Sequence, residues 1–283
     1  MTNRKSKIEN GMVITRREFS AIAGGVLASF AFGGACRRGN APRETNDGRL
    51  TARPRADIET SAKRESALGL DATRDAILHL PMKITGRPLP LLVLLHGAGG
   101  SAEGVLGRLG SALDEAEVAV LAPDSRDFSW DAIRNSFGPD VTFVNRALER
   151  VFDIVAVDPA RIAVGGFSDG ATYAVSLGLI NGDLFRRVVA FSPGFIIEGT
   201  PHGAPQFFVS HGAADPILPI DRCSRLIVSG LRKRGYDVTL REFDGGHEVP
   251  GDIARDGMRW VAEAPPAQRS NLSGRHPFSV AHL

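Results

Sequence analysis

The stretch "RIAVGGFSDGATYAVSLGLI", Arg161 to Ile180, decides the fold of this chain. Its apolar run Ile162 to Val164 is typical of a buried strand, and Ala171 to Ile180 has the spacing of a helix. Between the two runs, Ser168 stands among glycines. A tight strand-to-helix turn lifts a serine hydroxyl clear of the sheet and places the positive end of the helix beside it. The stretch therefore predicts a strand–turn–helix unit with a nucleophile at the turn.

The rest of the body repeats this alternation of strand and helix. Strands are predicted at 76–80, 91–95, 118–122, 162–164, 188–191, 206–210 and 238–243, and helices at 101–115, 141–155, 171–180, 222–234 and 253–264. Strands that alternate with helices imply an α/β fold, with a mostly parallel central sheet and helices on both faces.

Polar motifs follow four of the predicted strands at the point where each strand ends. "HGAGGS" follows Leu95, "GGFSDG" follows Val164, "HGAADPILP" follows Ser210, and "DGGHEVP" follows Phe243. The carboxyl ends of parallel strands meet at one edge of a sheet, where ligands bind in open α/β folds. We therefore expect these motifs to form one site.

Three residues in these motifs have the chemistry of a nucleophile, a base and an acid, in the chain order Ser168, Asp215, His247. A serine hydroxyl is a weak nucleophile until a base takes its proton, which assigns His247 as the base. A carboxylate on the other imidazole nitrogen fixes the tautomer. Asp215 is the preferred acid because it directly follows a strand, and Asp221 and Asp244 remain as alternatives.

The developing oxyanion needs two backbone donors, and the sequence offers two. The N–H of Asp169 follows the nucleophile, and the N–H of Ala98 lies in the glycine-rich loop after the strand at 91–95. Trp130 and Phe195 are aromatic candidates for contacting the substrate, although each is also a candidate core residue.

Other chemistries find little support in the sequence. His96 and His211 each precede a glycine and are interpreted as structural, and Cys223 as an inert buried thiol. No Cys/His cluster has metal-site spacing, and no glycine-rich dinucleotide fingerprint with an acidic partner is present, so neither a metal nor another cofactor is predicted. The body lacks the basic clustering of a nucleic-acid surface.

From about Leu68 to Ala264 the chain resembles the α/β-hydrolase superfamily, and within it the phospholipase/carboxylesterase group, close to exported feruloyl- and polyhydroxyalkanoate-esterase-like enzymes. The motifs "LLVLLHGAGGS", "AVLAPDS", "VDPARIAVGGFSDGA", "FSPGF", "FVSHGAADPILPI" and "GGHEVP" carry this resemblance. It implies an α/β-hydrolase fold and a serine carboxylesterase, with Ser168, Asp215 and His247 as triad and Ala98 and Asp169 as oxyanion donors. Asp169 and Ala171 depart from the Gln and Gly that the group often carries, and the acidic Asp169 disfavours anionic substrates.

The expected substrate is a small-molecule or polymer-linked carboxylic ester, hydrolysed through an acyl-enzyme. A peptidase or thioesterase on the same fold is the alternative within enzymes. A non-catalytic exported binding lipoprotein is the alternative of another class, since fold alone does not fix function. The sequence makes no prediction of oligomeric state.

The N-terminus has the pattern of an export signal, predicted at 1–36. Thr15 to Phe19 resembles a twin-arginine motif, an apolar segment follows, and small residues precede Cys36, a lipidation candidate that would supply the chain's one membrane contact. Two alternatives to lipidation remain: cleavage of the signal near Ala35 to give a soluble exported protein, or an uncleaved helix that anchors the protein in the membrane. A periplasmic, membrane-anchored or secreted protein is expected, with a flexible tether at 37–66, the catalytic domain at 67–264 and a tail at 265–283.

Overall fold

The computed structural model describes residues 47–263. Within these residues, eight strands form one sheet in the order β1-β2-β4-β3-β5-β6-β7-β8. Their bounds are β1 Glu65–Ala67, β2 Ala76–His79, β3 Leu89–Leu95, β4 Ala119–Pro123, β5 Val157–Phe167, β6 Arg187–Phe191, β7 Gln206–Gly212 and β8 Val238–Phe243.

The sheet is parallel from β4 to β8, and at the other end β1 pairs antiparallel with β2, and β2 antiparallel with β4. This arrangement confirms the predicted mostly parallel sheet. All seven residues of the central strand β3 are buried, as its continuous apolar sequence predicts for a strand covered on both faces.

Helices cover both faces of the sheet. Their bounds are α1 Ala102–Leu109, α2 Ala112–Glu115, α3 Asp131–Arg134, α4 Pro139–Ile154, α5 Asp169–Ile180, α6 Ser224–Lys233 and α7 Gly251–Ala262. Alternate residues of β3 point to opposite faces: Leu91, Val93 and Leu95 pack in a core with residues of α4, α5 and α6, whereas Leu92 and Leu94 pack with α1, α2 and α7.

The single helix predicted at 101–115 is wrong, because the chain forms two helices there. The break lies at Gly110, which has a φ of +52° and ends α1. A left-handed residue of this kind closes a helix at low cost only when it is glycine.

The predicted tether at 37–66 is wrong for residues 47–66, because this part of it packs against the domain. Leu50 is 1% exposed. The buried amide of Asn181 accepts the Leu50 N–H at 2.8 Å and donates to the Gly48 carbonyl at 2.8 Å. Arg49 and Arg53 both pair with Asp183. The segment is mostly polar and has few apolar residues, so its sequence did not predict that it packs against the domain.

The predicted export signal at 1–36, with Cys36, and the tail at 265–283 lie outside the described residues and stay predictions. Among residues 47–263, none of the helices combines the length and the apolar character that a bilayer crossing requires.

Candidate active site

The nucleophile candidate Ser168 lies at the turn between β5 and α5. Its φ of 57° and ψ of −120° are strained for a residue with a side chain. The turn is held from both sides, since the Ser168 N–H donates to the Phe191 carbonyl at 2.9 Å and the Ser168 carbonyl accepts the Thr172 N–H at 3.0 Å. These bonds fix the Ser168 backbone at the carboxyl edge of the sheet.

The glycines around Ser168 are required by close backbone approach. A Cβ added at Gly170 would lie 2.2 Å from the Leu95 carbonyl oxygen, and one at Gly166 would lie 2.5 Å from the Gly170 carbonyl carbon. The first turn of α5 therefore packs directly on the end of β3, which brings the loop after β3 next to the nucleophile.

The loops after β7 and β8 bring the other two triad candidates together. The N–H groups of Ala213 and Ala214 donate to the carbonyls of Phe243 and Gly245 at 2.8 and 3.0 Å, so the strand pairing continues into the loops. A Cβ at Gly212 would lie 2.2 Å from the Gly246 carbonyl oxygen. This close approach places the residues that follow each glycine on neighbouring loops.

The three candidate side chains form one chain of hydrogen bonds. His247 Nδ1 lies 2.7 Å from Asp215 Oδ2, and His247 Nε2 lies 2.9 Å from Ser168 Oγ. The Asp215 side chain is fully buried and that of His247 is 16% exposed. With Nδ1 donating to the carboxylate, Nε2 is free to accept the serine proton. The alternative acids Asp221 and Asp244 make no such contact with His247.

Asp215 is fixed by contacts on both carboxylate oxygens. Oδ1 accepts the N–H groups of Ile217 and Leu218 at 2.9 Å each. Oδ2 also lies 3.1 Å from Nε2 of the buried His211. Burial lowers the pKa of His211, and a neutral ring fits its surroundings: Nε2–H faces the Leu218 carbonyl at 2.7 Å, and Nδ1 accepts the Ser224 hydroxyl. His211 thus supports the acid rather than competing with His247.

The candidate oxyanion loop is supported from below by His96 and Trp130. His96 Nδ1 donates to the Gly97 carbonyl at 2.7 Å, and its Nε2 accepts the Ser125 N–H at 3.0 Å. The Trp130 indole donates to the His96 carbonyl at 2.8 Å. Within residues 47–263, the N–H groups of Ala98 and Asp169 have no hydrogen-bond partner. Both donors are therefore open to a ligand.

Asp169 adds a negative charge beside these donors. Its carboxylate accepts the Ser129 hydroxyl at 2.6 Å. Burial raises the pKa of the Asp169 carboxyl, and the Ser129 hydrogen bond opposes that rise. The contact also ties the loop after β4 to the first residue of α5.

The predicted substrate contacts of Trp130 and Phe195 do not fit the structure. Trp130 is 1% exposed and packs between the rings of His96 and Tyr173. Phe195 is 3% exposed and lines a cavity to which no triad residue contributes.

Two residues that the sequence analysis missed are exposed beside the site. Phe128 is 55% exposed, its carbonyl accepts the Gly99 N–H, and its ring lies against Gly99 in the oxyanion loop. Ile217 is 54% exposed and follows Asp215 by two positions. The motif "DFSWDAI" contains two aromatic residues, Phe128 and Trp130, and the sequence does not say which of them faces the substrate. Their burial in the structure distinguishes them.

Within the part of the chain that the structure describes, no group of three His, Cys, Asp or Glu side chains could hold a metal ion.

Comparison with known proteins adds independent evidence. Residues 116–259 match the family model described as phospholipase/carboxylesterase, which covers half of the chain. The chain belongs to the phospholipase/carboxylesterase family. The match includes all three residues of the hydrogen-bonded triad candidate.

Among curated relatives, a putative esterase, NocK, from Nocardia uniformis subsp. tsuyamanensis is 32% identical over 187 residues, which cover 61% of this chain and 53% of the relative. Feruloyl esterase C of Emericella nidulans is 28% identical over 159 residues, covering 52% of this chain and 57% of the relative. The chain thus spans little more than half of the length of these relatives.

Solved structures share the fold of this family member. An S-formylglutathione hydrolase from Staphylococcus aureus superposes with a TM-score of 0.59 at 18% identity, over 70% of this chain and 96% of that one. The Bacillus cereus carboxylesterase superposes with a TM-score of 0.51 at 22% identity, over 68% and 94%. The predicted α/β-hydrolase fold is confirmed.

Proposed function

We propose that this family member is a serine esterase that hydrolyses carboxylic esters through an acyl-enzyme. The observation that carries the proposal is the continuous hydrogen-bond chain from Asp215 through His247 to Ser168, beside two open backbone donors. Family membership and the esterase names of its relatives support the same reaction class.

In the first half-reaction, Ser168 Oγ attacks the ester carbonyl carbon while His247 Nε2 takes the hydroxyl proton. Asp215 stabilises the imidazolium that forms. The carbonyl oxygen becomes an oxyanion and binds the N–H groups of Ala98 and Asp169. The imidazolium then protonates the leaving alkoxide, the ester C–O bond breaks, and the acyl group remains on Ser168.

In the second half-reaction, water replaces the alcohol. His247 takes a proton from the water as its oxygen attacks the acyl carbon, and the same donors bind the second oxyanion. Collapse of this intermediate breaks the bond to Ser168 Oγ, which takes the proton back from His247. The products are one carboxylic acid and one alcohol, and the enzyme returns to its starting state.

The proposal is tested with Ser168→Ala and a chromogenic acetate ester. We expect kcat/KM to fall by roughly 10⁴-fold or more, and His247→Ala to cost about as much, because the residues act as a unit. Ser136→Ala, at an exposed serine, is the control and should keep full activity. A fluorophosphonate probe should label the parent protein and not Ser168→Ala; hydrolysis that survives the substitution would refute the assignment.

A panel of acyl donors separates the proposed esterase from a thioesterase or peptidase on the same fold. The panel pairs one acyl group with an alcohol, a thiol and an amine leaving group. It includes a ferulate ester, because a relative is named a feruloyl esterase. Preference for the oxygen ester supports the proposal, and faster turnover of the thioester or amide would replace it.

A further inference from the structure

A second cavity lies away from the triad, between the loop after β6 and helix α6. It has a volume of about 410 Å³, within the range of small-molecule sites. Its walls are mainly apolar and include Leu179, Phe195, Ile197, Leu226 and Ile227. Leu226 is one of the few large apolar side chains that is well exposed, at 43%.

One wall of the cavity is the loop at 194–199, which is held on α5, and Leu179 and Ile180 of the last turn of α5 complete that wall. The Gly194 N–H donates to Thr172 Oγ1 at 2.8 Å, and the Ile197 N–H donates to Ser176 Oγ at 2.9 Å. Thr172 and Ser176 are one turn apart, so the loop is bound to two successive turns of α5. The cavity itself extends along α6 from Cys223 to Gly230, over which a helix rises about 10 Å.

Helix α6 supplies the opposite wall with a stripe of residues at helical spacing. Cys223, Leu226, Ile227 and Gly230 all line the cavity. An apolar cavity of about 410 Å³ that follows α6 in this way fits an extended alkyl chain better than a compact polar molecule.

Two arginines, Arg222 and Arg234, line the cavity at the two ends of α6. Neither guanidinium has a hydrogen bond or ion pair among residues 47–263. The acidic neighbour of Arg222, Asp221, is paired with Arg225 at 2.6 Å, so within residues 47–263 it does not pair with Arg222.

The two arginines differ in their surroundings. A helix that connects parallel strands runs from the carboxyl edge of the sheet back to the amino edge, so Arg222 lies at the carboxyl edge and Arg234 at the amino edge. Glu198 also lines the cavity, next to Gly199, which lies against Ile180 at the amino-edge end of α5. Glu198 thus lies toward the Arg234 end of the cavity, where its carboxylate would repel an anionic group, so Arg222 is the better place for such a group.

We propose that this cavity binds a long-chain carboxylate, with its carboxylate on Arg222 and its alkyl chain between the loop at 194–199 and α6. The site goes beyond the proposed esterase activity, because binding requires neither Ser168 nor turnover.

Titration calorimetry of the full chain with dodecanoate tests the site. We expect one saturable site in the parent protein. Gly230→Phe fills the cavity without a clash, because a Cβ at Gly230 meets nothing within 4 Å, and it should weaken binding at least tenfold. Gly107→Phe is the matched control, at a helical glycine in α1 with the same open surroundings, and should bind as the parent does. No saturable binding, or equal binding by Gly230→Phe, would overturn the proposal.

The polar end of the site has its own test. Arg222→Gln should weaken dodecanoate about tenfold and leave dodecanol unchanged, whereas Lys233→Gln removes the same charge from α6 outside the cavity and should change neither. Equal loss for the acid and the alcohol, or no loss, contradicts the placement of the carboxylate. The comparison of acid and alcohol tests the proposed site even if Gly230→Phe does not fold.

Ser168→Ala separates the cavity from the triad. Its dodecanoate affinity should equal that of the parent, and this holds whether or not the protein is an esterase. Affinity that disappears with Ser168→Ala would assign the ligand to the triad site and reject the separate cavity.

Discussion

At Ser168 the chain adopts a backbone conformation that costs about 1–3 kcal/mol for a residue with a side chain. The strain persists because hydrogen bonds to the Phe191 carbonyl and from the Thr172 N–H hold the turn on both sides. Relaxation of the turn would move the Ser168 hydroxyl away from His247. The strained conformation is therefore part of what orients the nucleophile.

Asp169 gives a first prediction, on substrate charge. Asp169→Asn keeps an oxygen for the Ser129 hydroxyl but removes a negative charge beside the oxyanion donors. We expect the ratio of kcat/KM for a chromogenic hemisuccinate ester to that for the acetate ester of the same alcohol to rise about fivefold, which corresponds to about 1 kcal/mol of repulsion.

The matched control is Ser129→Ala, which removes the hydrogen bond and keeps the charge. It should not raise the ratio of the two esters. An Asp169→Asn protein with an unchanged ratio would show that the carboxylate does not act on substrate charge.

At the scale of elements, the site depends on the contact between α5 and the end of β3. The first turn of α5 approaches the Leu95 and His96 carbonyls so closely that a side chain at Gly170 has no room. Because backbone atoms line this contact, the neighbours cannot move aside by a change of rotamer.

The second prediction follows from this contact. Gly170→Ala should lower the free energy of unfolding by at least about 3 kcal/mol and abolish hydrolysis, because the helix must shift away from β3. Gly107→Ala, in the open surroundings of α1, should instead stabilise by about 0.4–1 kcal/mol. Urea unfolding of both variants provides the measurement, and a Gly170→Ala protein with parental stability would disprove the packing argument.

The junction of α3 and α4 holds two carboxylates, Asp131 and Asp140, each of which accepts the backbone N–H of the other, at 2.6 and 3.0 Å. Burial, and then the charge of Asp131, raise the pKa of Asp140 to about 6. Burial also raises the pKa of Asp131. Between about pH 4 and pH 6, the folded junction therefore keeps a proton on Asp140 that the unfolded chain has released.

The third prediction concerns this proton. The unfolded chain loses it near pH 4, whereas the folded chain keeps it to about pH 6, so folding is less favourable as pH rises through that window. Two pKa units correspond to at most about 3 kcal/mol. Urea unfolding at pH 4.5 and 7.5 should show a smaller loss of stability with pH in Asp140→Asn than in the parent, and equal losses in both would contradict the assignment.

At the scale of the whole molecule, the segment at 47–64 joins the domain along the far end of α5. It crosses to Asn181 and Asp183, more than one hundred residues away in sequence. Asn181 is fully buried and bonds the segment on both sides of Arg49. The amide, rather than the exposed ion pairs, fixes the segment in place.

The fourth prediction tests this attachment. Asn181→Ala removes the hydrogen bonds of the Asn181 amide with the Leu50 N–H and the Gly48 carbonyl, which should cost about 2–3 kcal/mol. Limited trypsin digestion followed by mass spectrometry should show faster cleavage after Arg49, which lies between the two residues that Asn181 bonds. The control is Asp153→Asn, which removes an exposed partner of Arg55 and should change stability by less than about 1 kcal/mol. Cleavage at the parental rate in Asn181→Ala would contradict the attachment.

Local sequence was sufficient for the alternation of strands and helices and for the turn at Ser168. Apolar periodicity and the glycines of the turn are local patterns of a few residues, so they can be recognised in the sequence alone. The sequence also predicted that Ser168, Asp215 and His247 form one site. Each of them follows a predicted strand, and the carboxyl ends of parallel strands lie at one edge of the sheet.

The amino-acid sequence by itself determined the fold class and the set of groups available for chemistry at one edge of the sheet. Tertiary structure decided which aromatic residue is buried, Trp130 or Phe128, that residues 47–66 are part of the domain, and that a second cavity lies along α6. These features depend on contacts between residues far apart in the chain, where burial is set by what packs opposite rather than by neighbouring residues.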